Sequence, residues 1–179
     1  YDGLYILEKE KNTWVLRNKI KGFSNSAKYF ILAKDGDVFV NHEYKGVYKL
    51  EVDSLYTKVL KTAKDTSVEK GIHSSILEHK KDIFYASKKG VFKYNFENSM
   101  FVLDTIYSAL IPQDIFVSGK LILDDYSNKL WSFTNKGLRF LKPGKLSDEA
   151  SLVSIPIKKA LFRGPVGFES IIHLENDKY

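Results

Sequence analysis

Side chains able to do acid–base, metal or nucleophilic chemistry are scattered over the 179 residues without a recognisable catalytic spacing. The histidines His42, His73, His79 and His173 fall at no metal-ligand spacing. His79 and His173 lie near aliphatic runs and read as structural side chains. Cysteine is absent, which excludes disulfides and thiolate sites. In KDGDVF, Asp35 and Asp37 flank Gly36, a spacing that occurs in calcium loops. The remainder of that loop pattern is missing, and Asp-Gly between two apolar runs is a hairpin signal. Asp124 and Asp125 put two carboxylates side by side, the raw material of general acid–base work. They directly follow an aliphatic run, so turn chemistry is the better reading. No phosphate-cradling glycine loop, nucleophile elbow or Ser/His/Asp arrangement is recognisable. The expectation is a binding protein with no reaction of its own, no catalytic residue, no metal and no cofactor.

Contact chemistry is more promising. Arg163 stands beside Gly164 and Pro165, with Phe162 and Phe168 on either side. A guanidinium among aromatic rings suits a sugar ring or a carboxylate. His42 and Tyr44 in NHEYKG, Lys88 and Lys89 in ASKKG, and Asn135 and Lys136 in FTNKG occupy short polar loops. These seven residues are the candidate ligand contacts. The net charge is +6, but the 28 Lys and Arg are dispersed, gathering only as pairs such as Lys80-Lys81 and Lys158-Lys159. A nucleic-acid surface concentrates such charge in a stripe or a recognition helix. A bilayer span needs roughly 18 consecutive apolar residues. Neither is found, so no nucleic-acid or membrane contact is expected of this segment.

The loops owe their positions to a repeat. A glycine followed by an aliphatic residue recurs in YDGLYIL (Gly3), YKGVYKL (Gly46), KKGVFKY (Gly90) and NKGLRFL (Gly137), at spacings of 43, 44 and 47 residues. Upstream lies a second element with an aromatic at Phe39, Phe84, Trp131 and Tyr179, spaced 45, 47 and 48 apart. A third, aliphatic element precedes it around Ile31, Ile76, Ile122 and Ile172. A fourth follows the glycine near Val15, Val59, Val102 and Val153. Each is short, rich in β-branched and aromatic residues, and bounded by turn formers. Four strands per 43–48 residues is the signature of a β-propeller blade. The fold expected is therefore all-β, a propeller segment of four-stranded antiparallel blades. The aromatics should pack between blades, and Gly90 and Gly137 should close loops in a backbone region that other residues avoid.

The phase gives three whole repeats, 27–62, 74–107 and 119–158, flanked by half-blades at 1–20 and 168–179, about four blades' worth in a single propeller segment spanning 1–179. The two half-blades add up to a fourth blade, so either the segment is excised from a larger propeller or the halves meet and close a small four-blade ring; the missing initiator Met and signal peptide favour excision. The exposed blade faces of such an arc predict self-association.

LILDDYSNKLWSFTNKGLRFLKPG, residues 121–144, resembles the repeat of the two-component regulator propeller family. Leu130, Trp131, Thr134, Gly137, Leu138 and Phe140 match its Leu-Trp, Thr and Gly-Leu-x-aromatic positions. The first two repeats carry Phe39 and Phe84 in place of Trp131. The resemblance implies the periplasmic sensor region of a membrane-anchored signal-transduction or transcription regulator. Its output would be a kinase or a helix-turn-helix domain elsewhere in the parent chain. It also implies glycan fragments as ligands, and the parent chain's other blades and signalling domains as partners. Two alternatives are a protein-interaction scaffold and a propeller enzyme of the lyase or lactonase kind.

Overall fold

Runs of β-branched and aromatic residues separated by tight turns can pair only with their sequence neighbours. The computed structural model shows that they do. It describes residues 2–124, 126–143 and 150–157. The chain divides into two compact units, Tyr1–Lys70 and Gly71–Tyr179.

In the first unit, β1 (Tyr5–Glu10) and β2 (Thr13–Lys19) form a two-stranded antiparallel sheet. A four-stranded meander follows: β3 (Tyr29–Leu32), β4 (Val38–His42), β5 (Gly46–Val52) and β6 (Val59–Lys64). Leu4 and Phe23 pack on the face of this meander that carries Val38, Val40 and Leu50. Phe23 meets the Tyr48 ring edge-on at 5.7 Å. Beyond β2 the backbone is tied to the β5–β6 turn, where Lys21 N donates to Thr57 O (2.9 Å) and Val59 N donates to Lys21 O (2.8 Å).

The second unit holds two more meanders. One is β7 (Ser75–His79), β8 (Asp82–Ser87), β9 (Gly90–Asn95) and β10 (Met100–Asp104); the other is β11 (Phe116–Asp124), β12 (Lys129–Thr134), β13 (Gly137–Pro143) and β14 (Ala150–Pro156). Each sheet is a blade of the propeller type, with strands in chain order from one edge to the other. The blades stack through one core. Leu77, Phe84, Ala86 and Val91 of the first meet Leu121, Leu123, Leu130 and Leu141 of the second, with Leu110 and Ile111 of the connection wedged among them. Burying each of the large side chains in this seam contributes about 1.5–3 kcal/mol.

The repeat positions behave alike. Phe39, Phe84 and Trp131 are 1%, 2% and 2% exposed. Tyr179 and the half-blade 168–179 lie outside the described residues. The connection between the blades contains a short helix, α1 (Thr105–Ser108), and a 3₁₀ turn at Gln113–Ile115. Asp104 caps α1 by accepting from Tyr107 N (2.9 Å). Ser132 Oγ donates to Leu110 O (2.6 Å) and the Arg139 guanidinium donates to Ala109 O (2.9 Å), so the following blade holds the connection down.

β11 runs longer than the aliphatic run LILD, because Phe116 already pairs with Thr134. Gly119, within this extension, lies against the first blade: a Cβ there would sit 2.3 Å from Ala86 O. The close approach lets Gly119 N donate to His73 O (2.8 Å) and Gly119 O accept from Ser75 Oγ (2.5 Å).

Gly137 opens β13 at φ +138°, and a Cβ on it would meet Ile155 O at 2.2 Å. Its counterparts Gly3, Gly46 and Gly90 share the positive φ. Gly137→Ala is expected to lower stability by about 1–3 kcal/mol, read as a lower midpoint in urea; an unchanged midpoint contradicts the placement. The β7–β8 turn is Lys80-Lys81, closed by the pair His79–Asp82, with φ of 52° and 71°. Two consecutive positive φ values mark a type I′ turn, which prefers Asn-Gly. The double variant Lys80→Asn/Lys81→Gly should therefore gain about 0.5–1 kcal/mol, seen as a higher melting temperature.

Candidate functional site

The second and third strands of every four-stranded sheet are joined by a short loop, and the last side chain of the second strand shapes it. His42 Nδ1 accepts from Tyr44 N (3.2 Å). Ser87 Oγ accepts from Lys89 N (3.2 Å), and Thr134 Oγ1 accepts from Lys136 N (3.3 Å). Thr134 Oγ1 also donates to Gly137 O (2.8 Å), closing the loop on the glycine. A side-chain acceptor bonded two residues ahead mimics a backbone turn. His42 is thus the positional equivalent of Ser87 and Thr134, and its inner nitrogen is engaged in the turn.

In the first unit this loop presents an aromatic and a cation together. Tyr44 is 64% exposed, with its ring edge-on to His42 at 6.3 Å. Neighbouring Lys45 donates from Nζ to Asn25 Oδ1 in the preceding connection. The loop thus carries an exposed phenol and, on the next residue, an ammonium bonded to a side-chain amide, which offer a stacking face, a charge and a hydrogen-bonding edge. That set can hold a sugar ring or a small anionic group.

In the second unit Lys88 and Lys89 are exposed at the β8–β9 loop, and Asn135 and Lys136 at the β12–β13 loop. The connection between the blades runs alongside the latter loop, since Asn135 N donates to Ile115 O (3.2 Å). Lys136 Nζ lies 4.0 Å from Asp114 Oδ2. Arg163, with Phe162 and Phe168, is outside the described residues. The loops thus bring His42 to Tyr44, and Lys136 to Asp114, while Lys88 and Lys89 stand on a loop of their own.

Of the acidic residues weighed above, Asp125 lies outside the described residues, and Asp35, Asp37 and Asp124 are engaged locally. Asp35 Oδ1 accepts from Asp37 N (3.1 Å), and Asp37 pairs with Lys49 (2.8 Å). Asp124 accepts from Tyr126 N (3.1 Å) and from the Ser127 hydroxyl. His79 is buried, edge-on to Tyr107 at 5.9 Å. Among the described residues, no three His, Asp or Glu side chains group closely enough to hold a metal ion. No helix among them is long and apolar enough to cross a membrane.

Two features escaped the sequence reading. Asp2 is held by Lys19 Nζ (2.6 Å) and by the Tyr5 hydroxyl, and these two donors keep its carboxyl below the usual range. Tyr5 and Lys19 are cross-strand partners, a pairing that only the register of β1 and β2 discloses. Asp53, in the β5–β6 turn, accepts from Lys58 N (2.7 Å), Thr57 N (2.7 Å) and Thr57 Oγ1 (2.8 Å). Compared with protein families and with curated proteins, the chain matches none.

The backbone bond from Lys58 chiefly, followed by those from Thr57, holds the Asp53 carboxyl below its ordinary value. Depression in the folded state means that the stabilisation is complete above the unfolded carboxyl pKa of about 3.9. It is lost as pH falls through the lower, folded value. Asp53→Asn should therefore melt below the wild type at neutral pH, and the gap should shrink below about pH 4. A gap that stays constant across an acid titration contradicts the role.

Proposed function

We propose that this chain is the ligand-sensing propeller region of a bacterial signal-transduction or transcription regulator. It binds and performs no reaction. Its place is the periplasmic side of a membrane-anchored parent protein, and oligosaccharides are its ligand class. The observation that carries the binding function is the Tyr44 loop: an exposed aromatic ring, followed in sequence by Lys45, whose ammonium bonds Asn25, at the point of the repeat where propeller blades present their contact loops. The regulator assignment draws on the LWSFTNKGL motif, 130–138. Its distinctive residues form one structural unit, with Trp131 buried in a tilted stack on Phe140 (4.4 Å) and Thr134 bonded to Gly137.

Ligand at a hundredfold excess over its dissociation constant adds about 2.7 kcal/mol to stability. For a chain of this length that raises the melting temperature by about 5–10 °C. A panel of oligosaccharides should include members producing such a rise. Tyr44→Ala should abolish the rise while leaving the unliganded melting temperature nearly unchanged, because an exposed side chain contributes little to stability. Stabilisation by divalent cations alone would favour the lyase or lactonase reading, and a panel without response would sink the sensor assignment.

A further inference from the structure

Charge is shared unevenly between the two ends of the second unit's sheets. At the end formed by the β7–β8, β9–β10 and β11–β12 turns, Lys80, Lys81, Lys129 and Lys142 are matched by Glu78, Asp82, Glu97 and Asp124 among the described residues. The opposite end carries the β8–β9 and β12–β13 loops and the connection between the blades. There Lys88, Lys89, Lys120, Lys136 and Arg139 stand against two carboxylates among the described residues, Asp104 and Asp114. Both are engaged, since Asp104 caps α1 and Asp114 lies 4.0 Å from Lys136 Nζ. No carboxylate among the described residues pairs with Lys88, Lys89 or Arg139.

The connection runs between these cations. On one side lies Gly90, the residue after Lys89. Val91 N donates to Ser108 Oγ (2.9 Å), and a Cβ on Gly90 would stand 2.9 Å from the same oxygen. On the other side the half-buried Arg139 guanidinium donates to the carbonyl of the next residue, Ala109 (2.9 Å). Further along, Asn135 N donates to Ile115 O (3.2 Å), which brings the Lys136 loop against the same segment. A half-buried guanidinium that meets one carbonyl keeps further donors, set in the planar fork that matches a carboxylate or sulfate. Surface lysines by themselves contribute little. An anchored fork beside them supplies the geometry they lack.

We propose that this segment, flanked by the Lys88-Lys89 loop and by Arg139, is a binding site for the acidic groups of an oligosaccharide, uronate carboxylates or sulfate esters. The inference rests on the sensor reading above and narrows its ligand class from oligosaccharides to anionic ones. Arg139, fixed by its bond to Ala109, takes one acidic group through two parallel hydrogen bonds. Lys88 and Lys89 hold a second acidic group further along the saccharide by charge alone. The opposite end of the sheets, with its charges matched, offers no comparable field.

The probes are trigalacturonate and a sulfated heparin disaccharide, with galactotriose as the neutral counterpart, titrated calorimetrically into the 179-residue chain. At least one acidic probe should bind about tenfold more tightly than galactotriose, and its affinity should fall as salt is raised. Arg139→Gln should weaken that binding about tenfold. Because this variant also loses the bond to Ala109, Lys88→Gln/Lys89→Gln on the exposed loop is measured beside it and should weaken binding about threefold. Lys80→Gln/Lys81→Gln removes the same charge from the opposite end and should bind like the wild type. An equal loss in that variant overturns the proposal, as does a mixed-sequence DNA duplex bound as tightly as the acidic probes. Galactotriose bound as tightly as the acidic probes overturns it and leaves the sensor reading standing. Acidic probes that fail while neutral oligosaccharides still give the Tyr44-dependent melting response do the same. Failure of every saccharide overturns both.

Discussion

A sheet that is apolar on both faces holds together only when something covers each face. The seam between the β7–β10 and β11–β14 blades meets this requirement for the residues of each sheet that pack there. Leu77, Phe84 and Ala86 project from one sheet, Leu121, Leu123 and Leu130 from the other, and Leu110 and Ile111 of the connection fill the outer part. The polar contacts of the region serve this stack. Ser75 bonds to Gly119, Ser132 to Leu110 and Arg139 to Ala109, so these three carbonyls at the close approach of the sheets are satisfied. Had Gly119 a side chain, the sheets would stand further apart and both the packing and these bonds would weaken together.

With the stack supplying stability, the loops between second and third strands are relieved of any core duty. They are short and closed by their own side chains, and they display whatever residues the position carries: Tyr44 in one blade, Lys88 and Lys89 in the next, Asn135 and Lys136 in the third. Function on such a scaffold is a matter of loop chemistry on an invariant frame.

The frame was largely legible in the residues. Strand positions and the buried aromatics Phe39, Phe84 and Trp131 follow from a period near 45 and from turn formers, because every strand pairs with its immediate neighbour. Less legible was anything set by contacts across the fold. Nothing in LILDD announces that β11 begins at Phe116, since the extension is set by the pairing of Phe116 with Thr134 and by the bonds of Gly119 to His73 and Ser75. Lys80-Lys81 reads as a charged pair, yet the two-residue closure forces both into left-handed backbone. His42 invites a ligand role until its loop is aligned with those of Ser87 and Thr134. The Asp2–Tyr5–Lys19 cluster spans two strands whose register no local pattern reveals. Arg163, singled out in the sequence, falls outside the described residues.

The meander order of the blades also governs the route by which they form. Each strand joins the previous one after a loop of a few residues, so the chain entropy lost at each closure is small. Contacts close in sequence dominate within a sheet, and such topologies reach the native state quickly for an all-β chain. Stacking a finished blade on its neighbour is the slower event, because it must bring together residues as distant as Leu77 and Leu141. Each blade can thus exist briefly as a half-covered sheet, and the time it spends so exposed sets the window in which it is open to aggregation.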